Sequence, residues 1–168
     1  MVNSKQKGAS FEREVCVALS LWLSDGAQED VFWRSAMSGG RSTVAFKRGK
    51  RLATQVGDIT CIHPLGQKLV DAFALECKAY SSLDYQGLLT GKGNLLAFWA
   101  EITEQARRYE KQPMLFARQN RLPTTVCLTL DGLNTLGLGL HKTVLISRPH
   151  DIYILLAGKF FSECIKFV

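Results

Sequence analysis

The most informative stretch of the chain is AFALECK, residues 72–78. Its first four residues are apolar, as in a buried strand, and two charged residues, Glu76 and Lys78, follow them. Because alternate residues of a strand point to the same face, Glu76 and Lys78 are predicted to project together, with Cys77 on the opposite side. Charged groups at the end of a buried strand need partners, so this stretch indicates a polar site at a sheet edge.

A second run, GDITCI at residues 57–62, places Asp58 at the start of another strand. We expect Asp58, Glu76 and Lys78 to converge at one edge of the sheet. Two carboxylates supply hard oxygen ligands for Mg²⁺, and a lysine can orient or deprotonate a water. These are the groups needed to hydrolyse a phosphodiester. The alternative is a solvated strand face, because exposed charge pairs are common.

Length and composition favour one domain with a packed core over residues 1–168, since 46% of the residues are hydrophobic. No apolar stretch approaches the roughly 18 residues of a membrane span, and the polar N-terminus does not resemble a signal peptide. The five cysteines are odd in number and scattered, as in a reduced protein. We therefore expect a cytoplasmic location, no membrane partner and, in the absence of a phosphate-binding glycine loop, no nucleotide cofactor.

The net charge of +6 is concentrated in one segment. Residues 31–57 contain no acidic residue and six basic ones: Arg34, Arg41, Lys47, Arg48, Lys50 and Arg51. A basic block without acidic compensation favours binding to a polyanion, most often a nucleic acid backbone. The alternative is a solvated loop.

Hydrophobic periodicity predicts an α/β protein with the element order α-β-β-β-α-β, followed by a β-rich tail. The helices are predicted at residues 7–24 and 95–111, and residues 81–94 are predicted to form a loop. The strands are predicted at residues 31–36, 58–63, 69–78, 114–117, 125–130, 143–147 and 152–157.

Several motifs together resemble those of the PD-(D/E)xK nuclease superfamily and, within it, of the archaeal-type Holliday junction resolvases. They are KGASFEREV (7–15), WRSA (33–36) with Ser38, GDI (57–59), LECK (75–78) and QARRY (105–109). The resemblance covers about residues 5–118. The chain departs from the pattern in a basic insertion of about a dozen residues before Asp58, in Met37, and in lacking a proline before Asp58.

This resemblance implies a restriction-endonuclease-like core at about residues 5–118, with a mixed central sheet flanked by helices and a C-terminal extension at about 119–168. It also implies that Asp58 and Glu76 ligate Mg²⁺, for which Mn²⁺ can substitute, and that Glu12 adds a third carboxylate. Lys78 would hold a water or the scissile phosphate. The helical wheel does not choose between Glu12 and Glu14, since both flank the apolar face.

The remaining implied roles concern DNA. Arg34 would reach a phosphate, and Ser38 would lie beside the cut site, although a plain turn serine is the alternative. Gln105 would contact DNA or the active site, unless it belongs only to a polar helix face. The basic residues 41–51 are predicted to bind phosphates.

We therefore expect a Mg²⁺-dependent endonuclease that resolves four-way DNA junctions in recombination or repair. Symmetric cutting of a junction requires two active sites, which predicts a homodimer. One alternative is a nuclease of the same fold that acts on duplexes, flaps, ends or restriction sites. The other is a catalytically silent DNA-binding module.

Overall fold

A computed structural model describes residues 4–35 and 56–166 of the chain. The first helix, α1 (Ser4–Leu23), is followed by two short antiparallel strands, β1 (Phe32–Arg34) and β2 (Ile59–Cys61). In this pair Arg34 lies opposite Ile59, which is the residue that follows Asp58 in the chain. A 3₁₀ turn at Pro64–Gly66 leads into helix α2 (Gln67–Ala72).

The main sheet has five strands in the order β3-β4-β5-β7-β6. Strands β3 and β4 are parallel, whereas the remaining neighbours are antiparallel, so the sheet is mixed. The strands are β3 (Phe73–Tyr80), β4 (Gln112–Gln119), β5 (Thr125–Leu128), β6 (Leu145–Ser147) and β7 (Ile152–Leu156). The other helices are α3 (Gly87–Thr90), α4 (Asn94–Arg108), α5 (Leu130–Thr135) and α6 (Ala157–Glu163). The predicted mixed sheet flanked by helices is confirmed.

The two faces of strand β3 enter two different cores. Phe73, Leu75 and Cys77 pack in the core that contains the apolar face of α1. Ala74 packs in the core that contains the apolar face of α4. This alternation follows from the two-residue period of a strand. It leaves Glu76 and Lys78 on the α4 side of the sheet, as their spacing predicted.

The predicted strand at residues 69–78 is wrong in its first part, because residues up to Ala72 form helix α2. The N–H of Phe73 donates to the carbonyl of Leu69 and closes that helix. A short apolar run fits a helical turn or a strand equally well, and only the tertiary packing of Leu69 and Val70 decides between them.

Three further short helices were missed by the periodicity. Helix α3 interrupts the predicted loop at 81–94, and α5 and α6 lie within the predicted β-rich extension. Helix α5 carries a readable start signal, since Thr129 Oγ1 accepts a hydrogen bond from the N–H of Gly132 and Asp131 lies in the first turn.

Candidate active site

The residues around Asp58 are attached to strand β3 through the backbone. Gly57 forms a parallel bridge with Leu75, and the N–H of Asp58 donates to the Leu75 carbonyl at 2.7 Å. Gly57 has a φ of +87°, and a Cβ at this position would lie 2.2 Å from the Leu75 oxygen. A side chain at residue 57 would therefore push the Asp58 backbone away from β3. This contact brings Asp58 beside the first charged residue of the AFALECK stretch.

The Asp58 carboxylate is buried, with 7% exposure for the residue, and Oδ2 accepts a hydrogen bond from the N–H of Cys77 at 3.0 Å. Burial raises the pKa of Asp58. The negative charge of Glu12 adds to this rise, while the Cys77 N–H, Lys78 and a hydrogen bond with Glu76 oppose it. Asp58 is thus held between the carboxylates of α1 and β3.

Glu76 and Lys78 form a largely buried ion pair. Lys78 Nζ lies 2.7 Å from Glu76 Oε1, and their side chains are only 21% and 13% exposed, respectively. Burial, followed by the charge of Asp58, raises the pKa of Glu76 to about 7. Burial lowers the pKa of Lys78, but the nearby carboxylates outweigh this effect and the net shift is upward. Lys78 is therefore a cation at neutral pH, and one cation is shared by two neighbouring carboxylates.

Helix α1 contributes Glu12 to the surroundings of Asp58, and the structure shows that Glu12 and Glu14 have different partners. Glu12 Oε2 accepts from Arg34 Nε at 2.5 Å, and its charge acts on Asp58. Glu14 instead pairs with Arg118 Nη1 at 2.7 Å, and its side chain is 51% exposed. The carboxylate of α1 that lies next to Asp58 is therefore Glu12, a choice that the helical wheel left open.

Two residues of α4 that border the site, Phe98 and Glu101, were not predicted as site residues from the sequence. The ring centroid of Phe98 lies 5.4 Å from Lys78 Nζ, and the negative charge of Glu101 raises the pKa of Lys78. The two positions are three residues apart and so share one helix face. Their three-residue spacing on the helix before β4 was the one sequence signal that could have placed both residues beside β3.

The other predicted contacts are only partly described. Gln105 is half-buried on α4, one turn beyond Glu101, and its role stays a prediction. The predicted role of Arg34 toward DNA also stays a prediction. Several predicted DNA contacts fall outside the described residues: Ser38, Arg41, Lys47, Arg48, Lys50 and Arg51.

The donor set of Asp58 and Glu76 fits a hard divalent cation. Burial raises the pKa of both carboxyl groups, and the charge of Asp58 raises the pKa of Glu76 further, so a bound cation would relieve this cost. Mg²⁺ is commonly held by one or two carboxylates, with waters and substrate phosphates completing its shell. In residues 4–35 and 56–166 no group of three or more His, Cys, Asp or Glu is arranged to hold a metal. Glu12 as a third ligand stays a prediction.

A family model described as "Phage putative PDDEXK endonuclease" matches residues 3–153. The chain belongs to this family. Membership makes it a nuclease of the PD-(D/E)xK type, for which DNA is the implied substrate, and such nucleases generally use divalent metal ions. The restriction-endonuclease-like fold predicted from the sequence is thereby confirmed.

The family match extends well beyond the predicted core at residues 5–118 and includes β5, β6 and the start of β7. Searches of curated proteins and of solved structures find no match. The narrower resemblance to Holliday junction resolvases is not confirmed by these comparisons. Within the described ranges, no helix is both long enough and apolar enough to cross a membrane.

Proposed function

We propose that this chain is a Mg²⁺-dependent DNA endonuclease that hydrolyses phosphodiester bonds at Asp58, Glu76 and Lys78. The observation that carries the proposal is the convergence of the buried carboxylate of Asp58 with the largely buried carboxylate of Glu76 and ammonium of Lys78 at the edge of β3. Burying three charges is unfavourable for folding unless they are well paired, so their presence here argues for a chemical role.

Each side chain has a role that follows from its position. Asp58 and Glu76 hold the cation, which when bound neutralises charge on the phosphate and lowers the pKa of a water. Lys78 Nζ, which Glu76 fixes at 2.7 Å, donates a hydrogen bond to the scissile phosphate or to the attacking water. Arg34 reaches a neighbouring phosphate, and Glu12 orients its guanidinium through the 2.5 Å contact.

The substrate that we propose is a four-way DNA junction, cut symmetrically by a homodimer. This part rests on the order of the sequence motifs, from KGASFEREV to LECK, and on the two active sites that symmetric cutting requires. Such an activity would belong to DNA recombination or repair.

The substrate can be tested with a panel of end-labelled DNAs: a four-way junction, a flap, a blunt duplex and a single strand. We expect paired symmetric cuts in the junction with Mg²⁺, and no cuts by the Glu76→Gln variant. Sedimentation should show a dimer. Preference for a flap or duplex would replace the junction assignment but retain the nuclease. DNA binding without cleavage of any substrate would instead support the silent DNA-binding module.

We further propose that the basic segment at residues 41–51 contacts DNA phosphates. Each lost phosphate contact flattens the salt dependence of binding by about one unit of slope. Replacing Lys47, Arg48, Lys50 and Arg51 with alanine should therefore weaken binding to all DNAs and reduce the slope by about three to four. An unchanged slope would make this segment a solvated loop.

A further inference from the structure

A second concave surface adjoins the candidate site, between the first turns of α1 and the C-terminal end of β3. It encloses about 820 Å³, which is within the roughly 300–1,000 Å³ typical of ligand pockets. Lys78 borders the cavity at the edge strand β3, and its ammonium lies beside Glu76 on the α4 side of that strand, so the cavity and the candidate site adjoin across the edge of β3. We call it the α1–β3 cavity.

The charges around this cavity favour an anion. Lys7, Lys78 and Arg118 line it, and the one carboxylate among its lining residues is Glu14. Glu14 is paired with Arg118 at 2.7 Å, and Lys78 is paired with Glu76 at 2.7 Å, so Lys7 supplies the excess positive charge of the lining. The polar side chains of the lining can add hydrogen bonds to an anion: Gln6, Ser10, Ser81 and Asn120.

Arg118 is held in place before any ligand arrives. Its guanidinium carbon lies 4.3 Å from the ring centroid of Phe11, and its Nε donates to Thr124 Oγ1 at 3.2 Å. A guanidinium fixed by stacking and hydrogen bonds loses less conformational entropy on binding a phosphate than a free one.

An exposed aromatic ring lies at the rim of the same cavity. Tyr80 lines it, is 44% exposed, and packs on Phe98 with 4.8 Å between ring centroids. Tyr80 follows Lys78 by two residues on the α4 side of β3, about 6–7 Å further along the strand, and it borders the cavity because β3 is the edge strand of the sheet. Aromatic rings next to a basic groove are how proteins bind unpaired nucleotides, because every base presents a flat face for stacking.

The size of the cavity selects among nucleic acids. A base-paired duplex can only lie across the mouth of a cavity of about 820 Å³, whereas a short length of single strand fits inside it. We propose that the α1–β3 cavity binds an unpaired segment of the DNA substrate next to the scissile phosphate. Lys7 and Arg118 contact its phosphates, and Tyr80 stacks on one of its bases. This inference rests on the proposed function and narrows its substrate to DNA with single-stranded character beside the cut.

Binding can be measured apart from cleavage with the full chain carrying Glu76→Gln. Fluorescence anisotropy would compare three forms of one duplex: blunt, with a four-nucleotide 5′ tail, and with a four-nucleotide 3′ tail. We expect the tailed duplex to bind about tenfold more tightly. Tyr80→Ala should remove most of this preference, since one base stack contributes about that factor, and Tyr80→Phe should retain it.

The charged residues have their own readout. Lys7→Gln and Arg118→Gln should each reduce the salt slope for the tailed duplex by about 0.7, the value for one single-strand phosphate contact. Lys68→Gln is the matched control, because Lys68 is exposed on α2 and does not line the cavity. It should leave both the slope and the preference unchanged. Thermal melts of all variants would check that the fold is retained.

Equal affinity for blunt and tailed DNA would overturn the inference, as would losses in Tyr80→Ala that are the same for both DNAs. The proposed function is judged separately, by cleavage with the protein that retains Glu76. If that protein cuts DNA with Mg²⁺ and Glu76→Gln does not, the nuclease assignment stands whatever the cavity binds.

Discussion

Strands β3 and β5 lie in the same sheet, but they bury opposite kinds of side chain. In β5, Val126, Cys127 and Leu128 are fully buried and apolar. In the second half of β3, Glu76 and Lys78 are largely buried although both are charged. Burying apolar surface stabilises the fold, whereas burying charge costs free energy even when it is paired. Strand β5 therefore stabilises the fold, whereas the charged half of β3 lowers its stability and carries the groups proposed for catalysis.

The pKa values of buried groups on the two strands show the same contrast. Burial alone raises the pKa of the Cys127 thiol to about 12, so it is a neutral, inert group at physiological pH. Burial together with Asp58 raises the pKa of Glu76 to about 7, close to the pH at which the protein would act. Burial thus keeps the Cys127 thiol of β5 neutral at physiological pH. In β3 it leaves Glu76 able to gain or lose a proton near neutral pH.

The largest effect is expected at the β3 edge. Asp58→Asn should reduce cleavage at least roughly 10³-fold, because it removes a charged oxygen ligand from the place where charge must be stabilised. DNA binding should persist or tighten, since a negative charge near the phosphate is lost. Single-turnover cleavage and anisotropy would measure the two effects. The control is Asp131→Asn, an exposed carboxylate of α5, and wild-type turnover in Asp58→Asn would contradict the assignment.

The opposite result is expected in β5. Leu128→Ala should lower the free energy of unfolding by about 2–5 kcal/mol, because it leaves a cavity in a fully buried position. Cleavage per folded molecule should stay the same at temperatures well below the melting point. Urea denaturation and active-site titration would separate the two quantities. A loss of activity in fully folded Leu128→Ala would mean that the two strands are not separate in function.

The two carboxylates of α1 make a matched pair. Glu12→Gln should reduce cleavage about 10- to 100-fold, since it removes the charge that orients Arg34. Glu14→Gln should change cleavage less than about threefold, because Glu14 is 51% exposed and pairs with Arg118 rather than with Arg34, and surface ion pairs contribute little. Steady-state cleavage of one DNA substrate by both variants would decide, and equal losses would show that the Glu12–Arg34 contact has no special part.

The smallest effect is a gain in stability. The pKa of Glu76 is about 7 in the folded chain and about 4.5 when unfolded. Its protonated form therefore stabilises the fold below pH 4.5, and this contribution is lost as the pH rises through 7. Without divalent metal, Glu76→Gln should be more stable than the wild type by about 1–2 kcal/mol at pH 8.

At pH 4 the two proteins should have nearly equal stability, because Glu76 is then protonated in both states. Thermal melts in a chelator at both pH values would test this sign. If Glu76→Gln were less stable at pH 8, the Glu76–Lys78 pair would stabilise the fold by more than the burial of Glu76 costs.

The centre of the site was predictable because it depends on local rules. The two-residue period of a strand placed Glu76 and Lys78 on one face and Cys77 on the other, and the GDI motif placed Asp58 at the start of its strand. The helices α1 and α4 were predictable from their apolar spacing. Residues 69–72 were not, since a run of four residues carries too little periodicity to distinguish a helix from a strand.

The border of the site depends on tertiary packing, which the sequence encodes only weakly. Glu12 and Glu14 are equivalent on a helical wheel, and they differ only because Arg34 and Arg118 come from different strands of the fold. In the sequence, Phe98 looks like any apolar residue of an amphipathic helix. Its contact with Lys78 is visible only in the folded structure. Short helices such as α6 depend on aromatic contacts, here of Phe160 with Trp22 and Phe116.

Metal-dependent cleavage by the full chain tests most directly whether Asp58, Glu76 and Lys78 form a nuclease site. Labelled DNA would be incubated with the wild type and with Glu76→Gln, first in EDTA and then with increasing Mg²⁺. We expect no cleavage by either protein in EDTA, cleavage by the wild type that rises with Mg²⁺, and no cleavage by Glu76→Gln at any Mg²⁺ concentration. Undiminished cleavage in EDTA, or equal rates for the two proteins in Mg²⁺, would contradict this assignment.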